Sequence, residues 1–235
     1  MLVAAAVCPC PPLLVPEVAS GAAPELDAAR AHCADALGVL AAARPDRLYV
    51  VGAASGDASG VFPAGSAGSF AGFGADLAVR LGEGPGGDRP LPASLAVGAW
   101  LLSRTGASGA AVEGLGVDEE ASAEECAEYG RRLAASAERV ALLVLGDGSA
   151  CRTVKAPGYF DERAAGFDAE AARVLGSADV PGVLALDAGL ARELKAAGRA
   201  PWQVLAGAAE GTDLTGRLLH EDAPYGVEYL VAVWS

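Results

Sequence analysis

Residues 140–168, VALLVLGDGSACRTVKAPGYFDERAAGFD, are the stretch of sequence that decides the fold. They begin with an uninterrupted apolar run at 140–145, which is typical of a buried strand. The run breaks at Gly146-Asp147-Gly148-Ser149, and a polar loop carrying Arg152 and Lys155 follows. Ligands of open α/β sheets bind where strands end and loops begin, so this loop is the first place to look for a site.

The rest of the chain alternates predicted strands with predicted helices. Strands are predicted at residues 2–7, 47–51, 109–115 and 225–234, and helices at residues 25–43, 95–103, 118–139, 161–175, 187–196 and 201–209. Residues 182–186 fit either a short strand or a turn into the next helix. This alternation predicts an α/β fold, a three-layer α/β/α sandwich around a central, mostly parallel or mixed sheet. With 235 residues, a single domain spanning 1–235 is the simplest account.

Residues 56–94 are rich in glycine, serine and proline, which indicates a functional or mobile segment inside the domain. We expect Phe62, Phe70 and Phe73 to hold this segment against the body of the protein. In the helix predicted at 118–139, the acidic residues Asp118, Glu119 and Glu120 would lie at the positive N-terminal end.

Composition limits the classes of partner and the compartment. The formal net charge of −13 argues against nucleic acid and against anionic membrane surfaces, because both repel an acidic protein. No apolar run reaches the roughly 20 residues that a membrane-spanning helix needs. No basic residue precedes the apolar start of the chain, so we expect no signal peptide and a cytosolic protein with reduced cysteines. The partners that remain are a small-molecule ligand and a second copy of the chain in a homo-oligomer.

Cys8 and Cys10 form a C-x-C pair after the first predicted strand. On an extended backbone both thiols would point to one side, and thiolates bind soft metals such as Zn²⁺ or Cu(I). A third ligand would have to come from elsewhere, and the only histidines are His32 and His220. The alternative is a proline-rich turn with two small apolar side chains.

The loop after residue 145 has two interpretations. Asp147, Ser149, Arg152 and Lys155 could hold a polar ligand, and the backbone N–H groups of the glycine-rich turn could bind an anion. Alternatively the glycines make a tight turn, and the two basic side chains pair with Asp161 and Glu162.

Glu228 lies in an otherwise apolar segment of the tail, where a buried carboxylate needs a partner. Its side chain faces either the pocket or the edge of the sheet. A Ser-His-Asp triad is not indicated, because neither histidine lies near a serine at a sharp strand-to-helix turn.

Several motifs together resemble a known family. PCPPLL at 9–14 resembles the PHPPLL-type opening of class III extradiol ring-cleavage dioxygenases, the subunit-B superfamily. GDGSACRTVKAPGYFDERAAGFDAE at 146–170 and PYGVEYLVAVW at 224–234 look like an actinobacterial branch of that superfamily. Memo-like proteins share the fold, and their motifs are echoed in VGAAS at 51–55, in GRAP at 198–201 and in the YGVEY of the tail.

The resemblance implies a fold and a pocket location, but this chain departs from the family at the metal site. Family members bind a non-heme Fe(II) through two histidines and a carboxylate. The first histidine position is Cys10 here, the second falls on or near Ser55, and the third ligand position of the Memo-like proteins falls near Ala197. Where a catalytic histidine is expected in the central loop, this chain has Ser149, Ala150 and Cys151.

The first hypothesis is therefore an extradiol-dioxygenase-like protein that has lost its iron site and binds a small ligand in the ancestral pocket. The candidate pocket residues are Cys10, Ser55, Asp57, Asp147, Ser149, Lys155 and Glu228. The second hypothesis is an active metal-dependent oxidoreductase that acts on a phenolic substrate and holds its metal through Cys8 or Cys10. The third is a non-catalytic interaction or scaffold protein.

Overall fold

A computed structural model describes residues 1–105 and 109–235. The strands are β1 (Leu2–Cys8), β2 (Arg47–Ala54), β3 (Gly60–Phe62), β4 (Ala67–Ser69), β5 (Ala78–Arg80), β6 (Ala111–Asp118), β7 (Val140–Leu145), β8 (Gly216–Asp222) and β9 (Tyr229–Trp234). The helices are α1 (Pro16–Ala19), α2 (Asp27–Ala42), α3 (Ala93–Thr105), α4 (Ala123–Ala134), α5 (Ala164–Gly176), α6 (Val180–Leu184), α7 (Ala188–Glu193) and α8 (Arg199–Ala209).

Seven strands form one sheet in the order β3-β6-β2-β7-β1-β9-β8. The four central strands, β6, β2, β7 and β1, are parallel, whereas β3, β9 and β8 pair antiparallel with their neighbours. β4 and β5 form a separate two-stranded sheet. Because β9 runs opposite to β1, its first residue lies at the same edge of the sheet as the carboxyl ends of the parallel strands.

Helices cover both faces of the sheet, which confirms the predicted three-layer α/β/α architecture. The alternate residues Leu142 and Val144 of β7 pack against α5 and α8, and Leu143 and Leu145 pack against α2 and α3. Every residue of β7 is buried because both faces of this central strand are covered. Trp100 of α3 is buried.

Two predicted segments need correction. The helix predicted at 118–139 begins only at Ala123, because Ser122 and Glu125 form a reciprocal capping box: the Ser122 Oγ accepts from the Glu125 N–H and the Glu125 carboxylate accepts from the Ser122 N–H at 2.9 Å. Asp118 is instead the last residue of β6. Residues 182–186 are neither a strand nor a simple turn, since most of them belong to α6.

The glycine-rich segment is ordered as short strands and turns around one arginine. The Arg89 guanidinium donates hydrogen bonds to the carbonyls of Asp57, Ser59 and Val61 at 2.7–3.0 Å. Phe62 and Phe70 are buried, as predicted, but Phe73 is 46% exposed, so its predicted anchoring role is wrong. Across residues 1–105 and 109–235, no helix is both long and apolar enough to cross a membrane.

The two helices α4 and α8 cross at glycines. A Cβ atom on Gly207 would lie 2.2 Å from the carbonyl oxygen of Ala127, and one on Gly130 would lie 2.1 Å from the carbonyl oxygen of Val204. Backbone therefore packs directly against backbone at this crossing, which brings α8 close to the sheet.

Gly207→Ala is expected to lower the free energy of unfolding by about 3 kcal/mol, because the methyl group would separate the two helices. Gly38→Ala in α2 is the matched control, since a Cβ there would meet no atom within 4 Å. The control should gain up to about 1 kcal/mol from the removal of a helical glycine. Urea unfolding of both variants measures the difference, and equal stabilities would contradict the close-packed crossing.

Candidate functional site

The carboxyl edge of the parallel sheet brings a thiol, a carboxyl group and a phenol together. β1 and β7 are paired in register up to Cys8 and Leu145, so the residues that follow them lie side by side. The Cys10 N–H donates to Asp147 Oδ1 at 2.9 Å, and the Cys10 Sγ lies 3.9 Å from Asp147 Oδ2. Tyr229, the first residue of β9, is buried at the same edge.

These groups favour their protonated forms. Burial raises the pKa of Asp147 to about 7, although the hydrogen bonds from Cys10 oppose the shift. Burial and the neighbouring Asp147 carboxyl raise the pKa of the Cys10 thiol. The same two causes raise the pKa of the Tyr229 hydroxyl. The edge therefore presents weak acids that can donate hydrogen bonds near neutral pH, and Asp147 can also exchange a proton there.

A cleft of about 340 Å³ adjoins the loop that carries Asp147, because Gly198, between the lining residues Ala197 and Arg199, donates its N–H to the Asp147 carbonyl at 2.8 Å. The Cys10, Asp147 and Tyr229 side chains are not part of its lining. Its lining residues come from the turn after β6, from the end of α7 and from the start of α8: Glu119, Glu120, Ala191, Arg192, Lys195, Ala196, Ala197, Arg199 and Ala200. Glu119 connects the cleft to the cluster, because its charge contributes to the raised pKa of Cys10. Burial and the neighbouring carboxylates Asp118 and Glu120 raise the pKa of Glu119 itself.

Arg199 forms the fixed wall of the cleft and is only 2% exposed. Its guanidinium donates to the backbone carbonyls of Glu119 and Ala121 and, at 3.0 Å, to the Gln203 side chain. Gln203 in turn donates to three backbone carbonyls in and after α6. The turn after β6 and the start of α8 are therefore held together by buried polar contacts.

A second polar cluster ties the central loop to the tail. Ser149 is fully buried, and its N–H and Oγ donate to the Asp168 carboxylate at 2.7 and 2.6 Å. The Arg152 guanidinium donates to Asp168 at 3.2 Å and to Glu228 at 2.6 Å. Burial and the Asp168 charge raise the pKa of Glu228 to about 7, while Arg152 opposes the shift. Glu228 therefore faces this interior cluster.

The predicted pairing of the loop cations with Asp161 and Glu162 is wrong. Arg152 pairs with the buried carboxyls, and the partner of Asp161 is Arg163. Lys155 is exposed on the loop and does not line the cleft.

The two C-x-C thiols have separate surroundings. The Cys8 thiol is buried, and the neighbouring Cys33 of α2 raises its pKa, whereas Cys10 contacts Asp147. His32 and His220 stack on each other, with ring centroids 5.2 Å apart, between α2 and the edge strand β8. Within the described ranges, no group of three or more histidine, cysteine, aspartate or glutamate side chains is placed to hold a metal ion. The residues at this edge therefore do not fit the iron centre that the resemblance implies.

The predicted site residues are thus only partly brought together. Cys10 and Asp147 meet, Ser149 and Glu228 support them from the interior, and Ser55 and Asp57 are exposed away from the cleft lining. Sequence analysis missed the site residues Glu119, Arg192, Lys195, Arg199 and Tyr229. Two sequence features could have indicated some of these residues. The Ser122–Glu125 capping box places Glu119 before the next helix, and the GRAP motif at 198–201 contains Arg199.

Comparison with known proteins supports the fold alone. No family model matches the chain, and no curated protein matches it. Among solved structures, the chain is similar to the crystal structure of an uncharacterized protein, JW3007, from Escherichia coli K12, with a TM-score of 0.52 and 15% sequence identity over 98% of each chain. The similarity extends over the whole α/β/α sandwich.

Arg152→Gln is expected to lower the free energy of unfolding by about 3 kcal/mol, because it leaves two buried carboxyls without their cation. Adding Glu228→Gln should recover part of this loss. Arg163→Gln is the matched control: Arg163 also contacts two carboxylates, Asp161 and Glu193, but its side chain is 51% exposed. The control should change stability by less than about 1 kcal/mol in the same urea titration.

Cys10 should be the first cysteine alkylated by iodoacetamide in the folded protein, because it is 9% exposed and the other four are 0–2% exposed. Asp147→Asn is expected to move the pH profile of the alkylation rate to lower pH, since it removes a negative charge that raises the thiol pKa. Peptide mass spectrometry locates the label, and Cys10→Ala is the control. A profile that Asp147→Asn leaves unchanged would contradict the contact.

Proposed function

We propose that this protein is a divergent, extradiol-dioxygenase-like protein that binds a small molecule in the cleft at the carboxyl edge of its sheet, without the family's iron. The observation that carries the proposal is the position of the cleft. Its lining includes Glu119, directly after β6, and the residues on either side of Gly198, which contacts the Asp147 carbonyl after β7. It therefore lies where the strands of an open α/β sheet end and where such folds bind ligands.

The chemistry of the edge supports ligand binding in two ways. Asp147 and Cys10 are weak acids that can donate hydrogen bonds to a ligand or accept them after losing a proton. Their supporting groups are fixed by buried hydrogen bonds from Arg199 and Arg152, so the edge is preorganised. A preorganised site binds a ligand with a smaller loss of conformational entropy.

The metal-dependent alternative has weaker support. Cys8 is turned toward Cys33 and so leaves Cys10 and Asp147 as the two donors at the edge. A catalytic non-heme iron needs three protein ligands. The chain's own residues fit the binding of an organic molecule better than the binding of a transition metal.

Filling the cleft tests the proposal. Ala197→Phe places a ring in the cleft, whereas Ala41→Phe places one in a cavity of similar size, about 330 Å³, between α2 and α3 at the opposite edge of the sheet. In a ligand-observed NMR screen of small organic fragments, Ala197→Phe should abolish the binding of fragments that the parent protein and Ala41→Phe retain.

The opposite pattern, with binding lost only in Ala41→Phe, would place the ligand site at the other edge and overturn the proposal. Near-stoichiometric iron or zinc in the purified protein, lost in Cys10→Ala, would overturn its metal-independent part. Both variants should first be shown to unfold cooperatively, so that loss of binding is not loss of fold.

A further inference from the structure

The lining of the cleft contains three basic side chains and two acidic ones, on a protein that is acidic overall. The chain has 17 lysine and arginine residues and a net charge of −13, yet three basic residues, Arg192, Lys195 and Arg199, line the cleft. Charges lining a concave, low-dielectric surface focus the electric field toward its centre. The charge of the cleft therefore limits what it can bind.

The three cations are not equivalent. Arg192 is paired with Glu120 at 2.6 Å, and Arg199 is buried with its donors on carbonyl and amide oxygens. Lys195 forms no ion pair with any residue of 1–105 or 109–235, and its one polar contact is a 3.5 Å approach of Nζ to the carbonyl of Pro157. Lys195 is the cation of the cleft that is free to meet a ligand.

The start of α8 adds partial positive charge to the same cleft. Arg199 and Ala200 are the first two residues of this helix of 11 residues and line the cleft. Its N-cap residue, Gly198, provides no capping side chain, and the first turn contains no acidic residue. The helix dipole therefore adds to the charge of Lys195, and the carboxylates that oppose it are Glu119 and Glu120 of the cleft wall rather than residues of the helix itself.

We infer that the cleft binds a small organic monocarboxylate, with the carboxylate between Lys195 and the first turn of α8 and the rest of the molecule against the lining alanines Ala191, Ala196 and Ala197. This inference rests on the proposed function. One free cation matches one negative charge, and the Glu119 and Glu120 side chains in the wall disfavour a dianion such as phosphate. The volume of about 340 Å³ is at the lower end of the range for small-molecule sites.

The backbone of Lys195 offers a test that separates binding from folding. Lys195 lies just after α7 and has a φ of 55°. Its N–H donates to the carbonyl of Arg192, and the next N–H, that of Ala196, donates to the carbonyl of Ala191. These two hydrogen bonds form a Schellman motif at the end of α7. Glycine is preferred at this left-handed position. Lys195→Gly should therefore stabilise the fold while it removes the cation.

Arg44→Gly is the matched control, because Arg44 occupies the same position after α2 with φ of 45° and lies outside the cleft. Both variants should raise the urea midpoint. Lys195→Gly alone should weaken the binding of benzoate and propionate about tenfold, as the loss of one charge-assisted hydrogen bond predicts. Binding is measured by isothermal titration calorimetry at low ionic strength, with benzamide, propionamide and inorganic phosphate as comparison probes.

The expected result is that the two carboxylates bind more tightly than their amides and than phosphate, and that Arg44→Gly leaves their affinity unchanged. Amides that bind as tightly as the acids, or phosphate that binds more tightly, would overturn the carboxylate assignment. If the amides or phosphate bind in this way to the parent protein and Ala197→Phe abolishes their binding, the cleft is still the ligand site. The proposed function then stands while this inference fails. If neither acids, amides nor fragments bind, both fail.

Discussion

The Arg152 guanidinium lies between two buried carboxyls, Asp168 on α5 and Glu228 just before β9, and the geometry of the candidate site depends on this contact. This one cation joins the loop after β7 to α5 and to the tail, and the tail residue Glu228 lies 76 residues further along the chain. The loop after β7 is additionally held by Ser149, whose N–H and hydroxyl both donate to Asp168. Strand pairing places Asp147 and Tyr229 at the same edge as Cys10, and the Arg152 contact fixes the loop and the tail there.

Close backbone contacts then decide where the cleft forms. A Cβ on Gly146 would lie 2.3 Å from the Cα of Gly198, and the Gly198 N–H donates to the carbonyl of Asp147 at 2.8 Å. The start of α8 is thereby placed against the end of β7. Gly146 is needed for this close approach of α8, because a side chain there would collide with Gly198. The cleft opens beside this contact, between α8, the end of α7 and the turn after β6.

The fold could be predicted because its signals are local. The unbroken apolar run of β7 and the alternation of strands with helices both follow from residues close in sequence, and the sheet has the predicted layers. The edge strand β8 was missed because its residues are mostly half-exposed and give no apolar pattern. The prediction that a helix begins at residue 118 was wrong. It followed from the acidic residues at 118–120, which favour helix N-termini, but the Ser122–Glu125 capping box is the stronger local signal.

The part of the site that could be predicted consists of residues that directly follow predicted strands. Cys10 and Asp147 were identified because each follows a predicted strand, and parallel pairing makes such residues neighbours. The partners of Arg152 could not be predicted from local sequence, because Glu228 lies 76 residues away and the nearby Asp161 pairs with Arg163 instead. Glu119 and Lys195 belong to segments whose contact is set by the packing of α7 and α8 on the sheet, and no local pattern encodes that packing.

The position of the site is compatible with the family resemblance, while its chemistry differs from that of an iron centre. A divalent cation is stabilised by several anionic or imidazole donors and is repelled by nearby positive charge. Here Lys195 and the start of α8 contribute positive charge to the cleft, and the third ligand position of the resemblance falls near Ala197, which lines the cleft and has no donor atom in its side chain. The same charge that disfavours a metal cation attracts an organic anion.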